Sequence, residues 1–158
     1  MFKGTYKHFT TFQHNMETVW GFYSNPKNLS KITRFPEVTF ERNPVFKKGG
    51  KMPLMLHFFI FRVKWVLVFK DIKENAYFID EALVVPFPFK KWKHTHTFIQ
   101  KSEHIVMEDK IEYESYLPNW ATQMILKKMF RGRDSLSNWD RGTGSVSHIK
   151  KRKNPNGE

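Results

Sequence analysis

The sequence predicts an α+β fold in which a curved antiparallel sheet of about seven strands wraps around a long C-terminal helix. Three observations support it: two short helices follow the first strand, about six segments with strand patterns come next, and one long amphipathic helix follows them. Separate runs of strands and helices are typical of α+β domains. A helix lying across long strands leaves a space between the two layers, which is a natural pocket.

The first 35 residues predict one strand and two short helices. Residues 6–12 are the first strand candidate, and Asn15 then caps a helix with Trp20 on its apolar face. Asn25 followed by Pro26 is a second cap signal, because proline fits the first helical position.

The chain from residue 38 to residue 113 predicts strand after strand. These segments are rich in Phe, Val, Leu and Ile, and turn signals separate them. The run 58–61 is apolar on both faces, so its direction is left open. The predicted strands are residues 38–42, 52–61, 63–72, 77–84, 92–98 and 107–113.

The last predicted element is one amphipathic helix of about five turns that opens at Pro118. Gly132 is a weak point within it and costs about 1 kcal/mol relative to alanine. We expect a single domain over residues 1–140 and a flexible basic tail over residues 141–158. The predicted apolar face comprises Trp120, Ala121, Met124, Ile125, Met129, Leu136 and Trp139.

Composition indicates a globular protein without disulfides and without a membrane-spanning segment. Hydrophobic residues make up 40% and aromatic residues 16% of the 158, and no apolar run reaches the ~20 residues of a membrane span. Cysteine is absent, so disulfides and thiolate metal sites are excluded. We expect a cytoplasmic protein without a cofactor or a metal, present as a monomer or weak dimer.

The charge balance is strongly basic, with 27 Lys and Arg against 15 Asp and Glu, or +12. A nucleic acid or an anionic membrane surface is one interpretation of such a charge. A solvated cationic surface is favoured instead, because no helix-turn-helix, zinc-finger or RNP-type motif accompanies the charge. We therefore expect no specific nucleic acid partner, with weak contact to anionic membranes kept as a further hypothesis.

Titratable residues occupy strand positions that should be apolar. His94 and His96 take the inward positions of an alternating strand over residues 92–98, and Asp109 takes one over residues 107–113. Such groups need a partner, water or a ligand, because unpaired burial costs ~1–3 kcal/mol or more. This pattern indicates a cavity in place of a purely packed core.

Strand register brings these residues together. A tight turn at residues 102–103 sets His96 opposite Asp109 in an antiparallel pair. Pairing of the preceding strand sets Asp80 opposite His94.

Three interpretations of this cluster stay open. Two His and two carboxylates fit a zinc or iron site by residue type and spacing. An acid–base pair of His96 with Asp109, assisted by His94, could move a proton in a cyclase or dehydratase. A satisfied structural network, which also orients a ligand, is favoured because buried polar groups are usually paired.

An aromatic stripe flanks the cluster and has two interpretations. It is ordinary core in one, and in the other it forms the wall of a ligand cavity with a few polar anchors. On the second interpretation the candidate ligand-binding residues are Trp65, Phe69, Asp80, Trp92, His94, His96, Phe98, Asp109, Ile111, Tyr113 and Met124.

The segment 84–93 is a candidate gate. Two prolines stiffen a loop that carries Phe87 and Phe89 beside Lys90. Apolar tips next to lysines would suit an anionic membrane. The favoured interpretation is that both phenylalanines fold back over the cavity.

Several segments together are similar to one known group of proteins. They span roughly residues 5–139, and the Trp-x-His-x-His-x-Phe strand with its downstream Asp is the most specific of them. The matching pieces are Val19-Trp20-Gly21-Phe22, Asn25-Pro26-Lys27-Asn28-Leu29, Trp65 with Ile72, Phe78-Ile79-Asp80-Glu81, Pro88-Phe89-Lys90-Lys91-Trp92, His94, His96, Phe98, Asp109, Tyr113, and Met129-Phe130 with Arg133.

These pieces resemble the START-like, birch-pollen-allergen-like superfamily (SRPBCC), within it the bacterial ligand-binding and polyketide-cyclase-like group. The resemblance implies a helix-grip fold and a hydrophobic cavity that holds a small apolar or amphipathic molecule. It also argues against a metal, since the group is not generally metal-dependent. Three functions follow as hypotheses: a small-molecule binding protein, a polyketide cyclase or dehydratase that uses His96 and Asp109, and a lipid carrier that docks on anionic membranes.

Overall fold

A computed structural model describes residues 1–33 and 35–131 and confirms the predicted fold class. All strands belong to one antiparallel sheet, and the helices pack on one of its faces. The strands are β1 (Phe2–Phe12), β2 (Glu37–Phe40), β3 (Lys51–Phe58), β4 (Phe61–Lys73), β5 (Tyr77–Val84), β6 (Phe89–Gln100) and β7 (Ile105–Ser115). The helices are α1 (Met16–Tyr23), a 3-10 turn (Pro26–Asn28), α2 (Leu29–Ile32) and α3 (Asn119–Phe130).

The sheet follows chain order except at β1, which closes against the last strand. The strand order is β1-β7-β6-β5-β4-β3-β2, so β2 and β1 are the two edges. The β4–β5 pairing carries register shifts between Val66 and Leu67 and between Phe69 and Asp71. Irregularities of this kind bend and twist a strand pair. They give the sheet the concave face that the helices cover.

Local sequence signals place the helices as predicted. Asn15 caps α1, because its side-chain oxygen accepts a hydrogen bond of 2.8 Å from the backbone N–H of Thr18. The side-chain amide of Asn28 donates to the carbonyl of Phe22 over 2.8 Å, which ties the α2 region to α1 inside the core. Trp20 turns its ring into the sheet, at 5.3 Å from the ring of Phe98.

Helix α3 lies over the end of the sheet formed by β1, β7 and β6. The ring of Phe130 lies 5.6 Å from that of Tyr6 in β1 and 5.7 Å from that of His94 in β6. The hydroxyl of Thr122 donates to the Ser115 hydroxyl at the end of β7 over 3.0 Å. These contacts fix which face of α3 is buried.

The predicted apolar face of α3 was wrong in part, since Met129 lines the cavity but Trp120 and Met124 do not face the sheet. Trp120 and Met124 are 70% and 66% exposed, whereas Thr122, Leu126 and Phe130 are buried. The hydrogen bond of Thr122 to β7 rotates the helix and brings a less apolar face to the sheet. The predicted helical positions Leu136 and Trp139, and the predicted tail, lie outside the described residues.

The strand boundaries also differ in one informative place. The predicted strand over residues 52–61 ends at Phe58, because Phe59 and Ile60 form a two-residue turn to β4. These two side chains are 95% and 94% exposed. The run contains no Gly, Pro, Asn or Asp, so the usual turn signal is missing. In addition, β1 starts at Phe2, four residues before the predicted strand.

Membrane crossing by a helix finds no support in the described part of the chain. None of its helices combines the length and the apolar character that a membrane span needs.

Candidate functional site

A cavity lies between the concave face of the sheet and the helices. The space open to the centre of a water-sized sphere is about 90 Å³, several times the ~10–15 Å³ that one water needs. Most of its lining is apolar and includes Phe22 of α1, Leu54 of β3, Leu67 of β4 and Met129 of α3.

One side of this cavity is polar. We call Trp65, Asp80, Trp92, His94 and His96 the polar wall, since all five line the cavity and are buried. They come from β4, β5 and β6, at the inward positions of each strand.

The predicted strand register is confirmed. Asp80 is opposite His94 in the β5–β6 pair, and His96 is opposite Asp109 in the β6–β7 pair. Asp109 lies behind the two imidazoles and has an exposure of 0%, so it supports the polar wall without lining the cavity.

The side chains bond diagonally across this register. Nε2 of His94 donates to Oδ1 of Asp109 over 2.8 Å, and Nε2 of His96 donates to Oδ2 of Asp80 over 3.0 Å. Nδ1 of His96 also lies 3.0 Å from Oδ1 of Asp109. The predicted His96–Asp109 contact is therefore present, and each histidine also bonds to a carboxylate that is not opposite it.

Stacking holds the imidazoles in place. The rings of His94 and His96 lie 3.7 Å apart between centroids, and Phe78 stacks on His96 at 4.0 Å. The ring of Phe130 closes over His94 from α3. With both rings flanked, neither histidine can turn without displacing a neighbour.

The pKa values of the two histidines are shifted in opposite directions. Burial, together with the nearby charge of His96, lowers the pKa of His94 to about 4 against the opposing effect of Asp109. Burial also acts to lower the pKa of His96, but hydrogen bonds to Asp109 and Asp80 outweigh burial and raise it. The site therefore places an imidazole with a lowered pKa, neutral at pH 7, beside an imidazole with a raised pKa.

Apart from Nδ1 of His96, which lies 3.0 Å from Oδ1 of Asp109, three buried polar atoms of the polar wall have no hydrogen-bond partner among the described protein groups. They are the indole Nε1 atoms of Trp65 and Trp92 and the Oδ1 atom of Asp80. The two indoles meet edge to face, with ring centroids 4.8 Å apart. Buried polar atoms are normally paired, so these three are exceptions that need an explanation.

Six of the predicted ligand-binding residues line the cavity, and five do not. Those on the lining are Trp65, Phe69, Asp80, Trp92, His94 and His96. Phe98, Asp109, Ile111 and Tyr113 are buried but belong to the packed core or to the support of the site. Met124 is exposed on the outer face of α3, so its assignment to the cavity was wrong.

Sequence analysis did not identify the residues of α2, β3 and β5 that complete the lining of the cavity. The cavity also contacts Leu29 and Ile32 of α2, Leu56 of β3 and Phe78 of β5. These are apolar positions with an ordinary core pattern, although Asn25, Asn28 and Thr33 around α2 also line the cavity. Leu56 alternates with outward residues along β3, which is the one signal that could have indicated an inward position.

The two phenylalanines of the candidate gate lie in different environments, one in the core and one in solvent. Phe89 is buried as the first residue of β6, and its ring lies 5.1 Å from that of Trp92. Phe87 is 74% exposed and stacks on Tyr116 at 6.3 Å. The expectation that both phenylalanines fold back over the cavity is therefore wrong for Phe87, and Phe89 is buried in the core without lining the cavity. Membrane docking through this loop stays a prediction that rests on one exposed aromatic side chain.

Asp80, His94 and His96 also suit a metal ion by residue type. One ligand atom from each lies within 4.8 Å of the others. In the structure, however, Nε2 of each imidazole is hydrogen-bonded to a carboxylate. A hydrogen-bonded network accounts for the arrangement without moving any of these side chains.

Comparison with known proteins finds similarity in structure alone. No family model matches the sequence, and no curated protein matches it. Ginseng major latex-like protein 151 from Panax ginseng is 12% identical, with a TM-score of 0.65 over 86% of this chain and 98% of that one. The protein TTHA0849 from Thermus thermophilus is 12% identical, with a TM-score of 0.62 over 84% of this chain and 91% of that one.

A third structure, that of Ara h 8.0201, is 8% identical, with a TM-score of 0.61 over 85% of this chain and 97% of that one. At such low identity these matches establish the fold and nothing finer. Each match covers nearly the whole of the other chain. The described chain therefore shares the fold of these three structures, and the predicted helix-grip architecture is confirmed.

Proposed function

We propose that this protein binds a small apolar or amphipathic molecule in the cavity between its sheet and its helices. The observation that carries the proposal is a mainly apolar cavity with the polar wall on one side. Ligand pockets typically combine apolar surface with a few well-placed polar groups.

The rigidity of the site supports binding. Two imidazoles fixed between ring neighbours and two buried carboxylates give the cavity a preset polar surface. A site that is ordered before binding loses less conformational entropy when the ligand enters.

Native mass spectrometry of the protein purified from its host tests the proposal. We expect a bound fraction with a discrete added mass, which organic extraction releases for identification. Leu56→Trp fills the cavity from β3 and should abolish the added mass, whereas Met55→Trp, on the outward side of the same strand, should retain it. An added mass that persists in a folded Leu56→Trp variant would place the ligand elsewhere.

Acid–base catalysis is a second candidate, favoured by one observation. The pKa of His94 is lowered to about 4 and that of His96 is raised, although their rings are stacked. Neighbouring groups with pKa values driven apart can serve as a proton donor and a proton acceptor. His96, next to both Asp80 and Asp109, would be the proton-transfer group of a cyclase or dehydratase.

The extracted molecule distinguishes the two candidates. It is returned to fresh ligand-free protein, and its mass and chromatographic retention are followed over time. A binding protein returns it unchanged, and His96→Ala weakens its affinity by a modest factor. An enzyme converts it by loss of water or by isomerisation, and His96→Ala slows that conversion ~10²–10⁴-fold.

A further inference from the structure

The three unpartnered atoms of the polar wall specify a ligand more closely than the cavity shape does. Trp65, Asp80 and Trp92 are each 5% exposed or less, and each lines the cavity. Leaving such atoms unpaired is unfavourable, so a ligand that pairs them gains affinity.

The three atoms require two kinds of hydrogen-bond partner from a ligand. An indole N–H can only donate a hydrogen bond, and an ionised carboxylate oxygen can only accept one. The other oxygen of Asp80 is already bonded to His96, which holds its carboxylate in a fixed orientation. A ligand that satisfies the wall therefore needs an acceptor for Trp92 or Trp65 and a donor for Asp80.

The spacing limits how these groups are arranged on the ligand. Asp80 is opposite His94, and Trp92 lies two residues from His94 on the same face of β6. Inward side chains two residues apart along a strand are separated by roughly 6–7 Å. With a hydrogen bond of about 3 Å at each end, one carboxamide or two polar groups on one ring can bridge this distance.

Anionic ligands fit the wall poorly. An anion would bring a second negative charge beside the carboxylate of Asp80 in a buried site. His96, the histidine of the network that faces both carboxylates, is already held between Asp80 and Asp109. The imidazole of His94 favours its neutral form, because burial lowers its pKa to about 4.

We propose that the ligand is an uncharged molecule of about one ring that donates a hydrogen bond to Asp80 and accepts one from Trp92. This inference rests on the proposed binding function and specifies the polar part of the ligand. Neutral amides and hydroxylated rings belong to this class, and carboxylates do not.

Three ring compounds of nearly one size test the inference at pH 7.5. They are 4-methylbenzamide with a donor and an acceptor, 4-methylbenzoate with acceptors only and a charge, and p-xylene with neither. Binding is measured by titration calorimetry and by protein-observed NMR of the indole N–H signals. We expect the amide to bind at least about tenfold tighter than the benzoate, with a shift of the Trp92 signal.

Two variants assign the effect to named atoms. Asp80→Asn replaces the carboxylate with an amide and should lower the amide-to-benzoate affinity ratio by about tenfold. Trp92→Phe removes one donor but keeps a ring, and should weaken the amide while p-xylene binds as before. Glu81→Gln is the matched control, because Glu81 is the next residue of β5 and pairs with Lys70 on the outer face.

The outcomes separate this inference from the proposed function. Equal binding of the amide and p-xylene overturns the inference and leaves small-molecule binding intact. Tighter binding of the benzoate, or an unchanged ratio in folded Asp80→Asn and Trp92→Phe, also overturns it. Binding of none of the three compounds overturns the inference, and the native mass spectrum then decides the proposed function independently.

Discussion

Two histidines and two aspartates are buried together on the inner face of this sheet. His96 lies between the two carboxylates, whose hydrogen bonds raise its pKa against the effect of burial, whereas burial lowers the pKa of His94 to about 4. Removing one partner from such a set is strongly destabilising, since it leaves an uncompensated buried charge. The cluster is thus a structural element as well as the polar part of a cavity.

The opposed pKa shifts predict opposite effects of pH in two variants. A histidine whose folded pKa is lowered loses stability as pH falls from about 6.5 toward 4, because only the unfolded chain binds the proton. Between pH 7.5 and pH 5.0 this amounts to roughly 2 kcal/mol. His94→Gln should therefore lose less stability over this range than the wild type does.

His96 affects the pH dependence of stability in the opposite direction. Its raised pKa adds stability that is fully present below about pH 6.5 and is lost as pH rises through the folded pKa. His96→Gln should therefore lose more stability than the wild type between pH 7.5 and pH 5.0. Urea unfolding at the two pH values measures both, with His104→Gln in the β6–β7 turn as control. Identical pH dependence in all four proteins would contradict the assignment.

Residue patterns predicted the members of this cluster but not its bonds. Alternation placed His94, His96 and Asp109 inward, and turn length set their register. The diagonal hydrogen bonds depend on side-chain rotamers, on sheet twist and on the rings of Phe78 and Phe130. No local pattern in the sequence encodes these contacts, because they join elements distant along the chain.

At the scale of elements, α3 shows how one polar contact can override apolar patterning. The predicted apolar stripe of the helix includes Trp120 and Met124, yet these two side chains face outward. The hydroxyl of Thr122 contacts Ser115 and the carbonyl groups of Leu117 and Pro118. Fixing the first turn in this way sets the rotation of every later turn.

Truncations along α3 test this rotation. Leu126 is fully buried, so Leu126→Ala should cost about 2–5 kcal/mol of unfolding free energy. Met124→Ala, two residues away and exposed, should change stability by less than about 0.5 kcal/mol. Chemical denaturation measures both variants. A larger loss for Met124→Ala would restore the face that the sequence predicted.

At the scale of the whole molecule, the net charge of +12 opposes the compact state. Ion pairs such as Lys7 with Glu108 at 2.7 Å and Lys64 with Glu41 at 2.8 Å lie at the surface and offset little of it. Salt screens repulsion between exposed charges, with a Debye length of about 10 Å at 0.1 M. We expect the melting temperature to rise when sodium chloride is raised from roughly 0.01 M to 0.15 M.

Differential scanning calorimetry at the two salt concentrations checks this expectation. Sucrose at matched osmolality is the control for effects other than screening. A melting temperature that falls with salt would mean that attractive ion pairs outweigh the repulsion among the 27 basic residues.

The order of elements was sufficient to predict the fold, whereas the volume of the cavity was not predictable. Strand alternation and helix caps are local, so they could be read in sequence order. Cavity volume depends on how the sixteen phenylalanines and five tryptophans of the chain fill the available space. Rings such as Phe46, Phe69 and Phe78 pack against each other and leave only about 90 Å³ open.

The hairpin tip formed by Phe59 and Ile60 has a consequence for how the protein behaves at interfaces. Both side chains are almost as exposed to water in the folded protein as in the unfolded chain, so they contribute almost nothing to the free energy of folding. Full removal from water would release about 1.5–3 kcal/mol for each. We therefore expect the protein to adsorb to an apolar chromatography resin or to an air–water interface through this hairpin tip. The double substitution Phe59→Ser with Ile60→Ser should elute earlier from such a resin, whereas Leu83→Ser should change retention less.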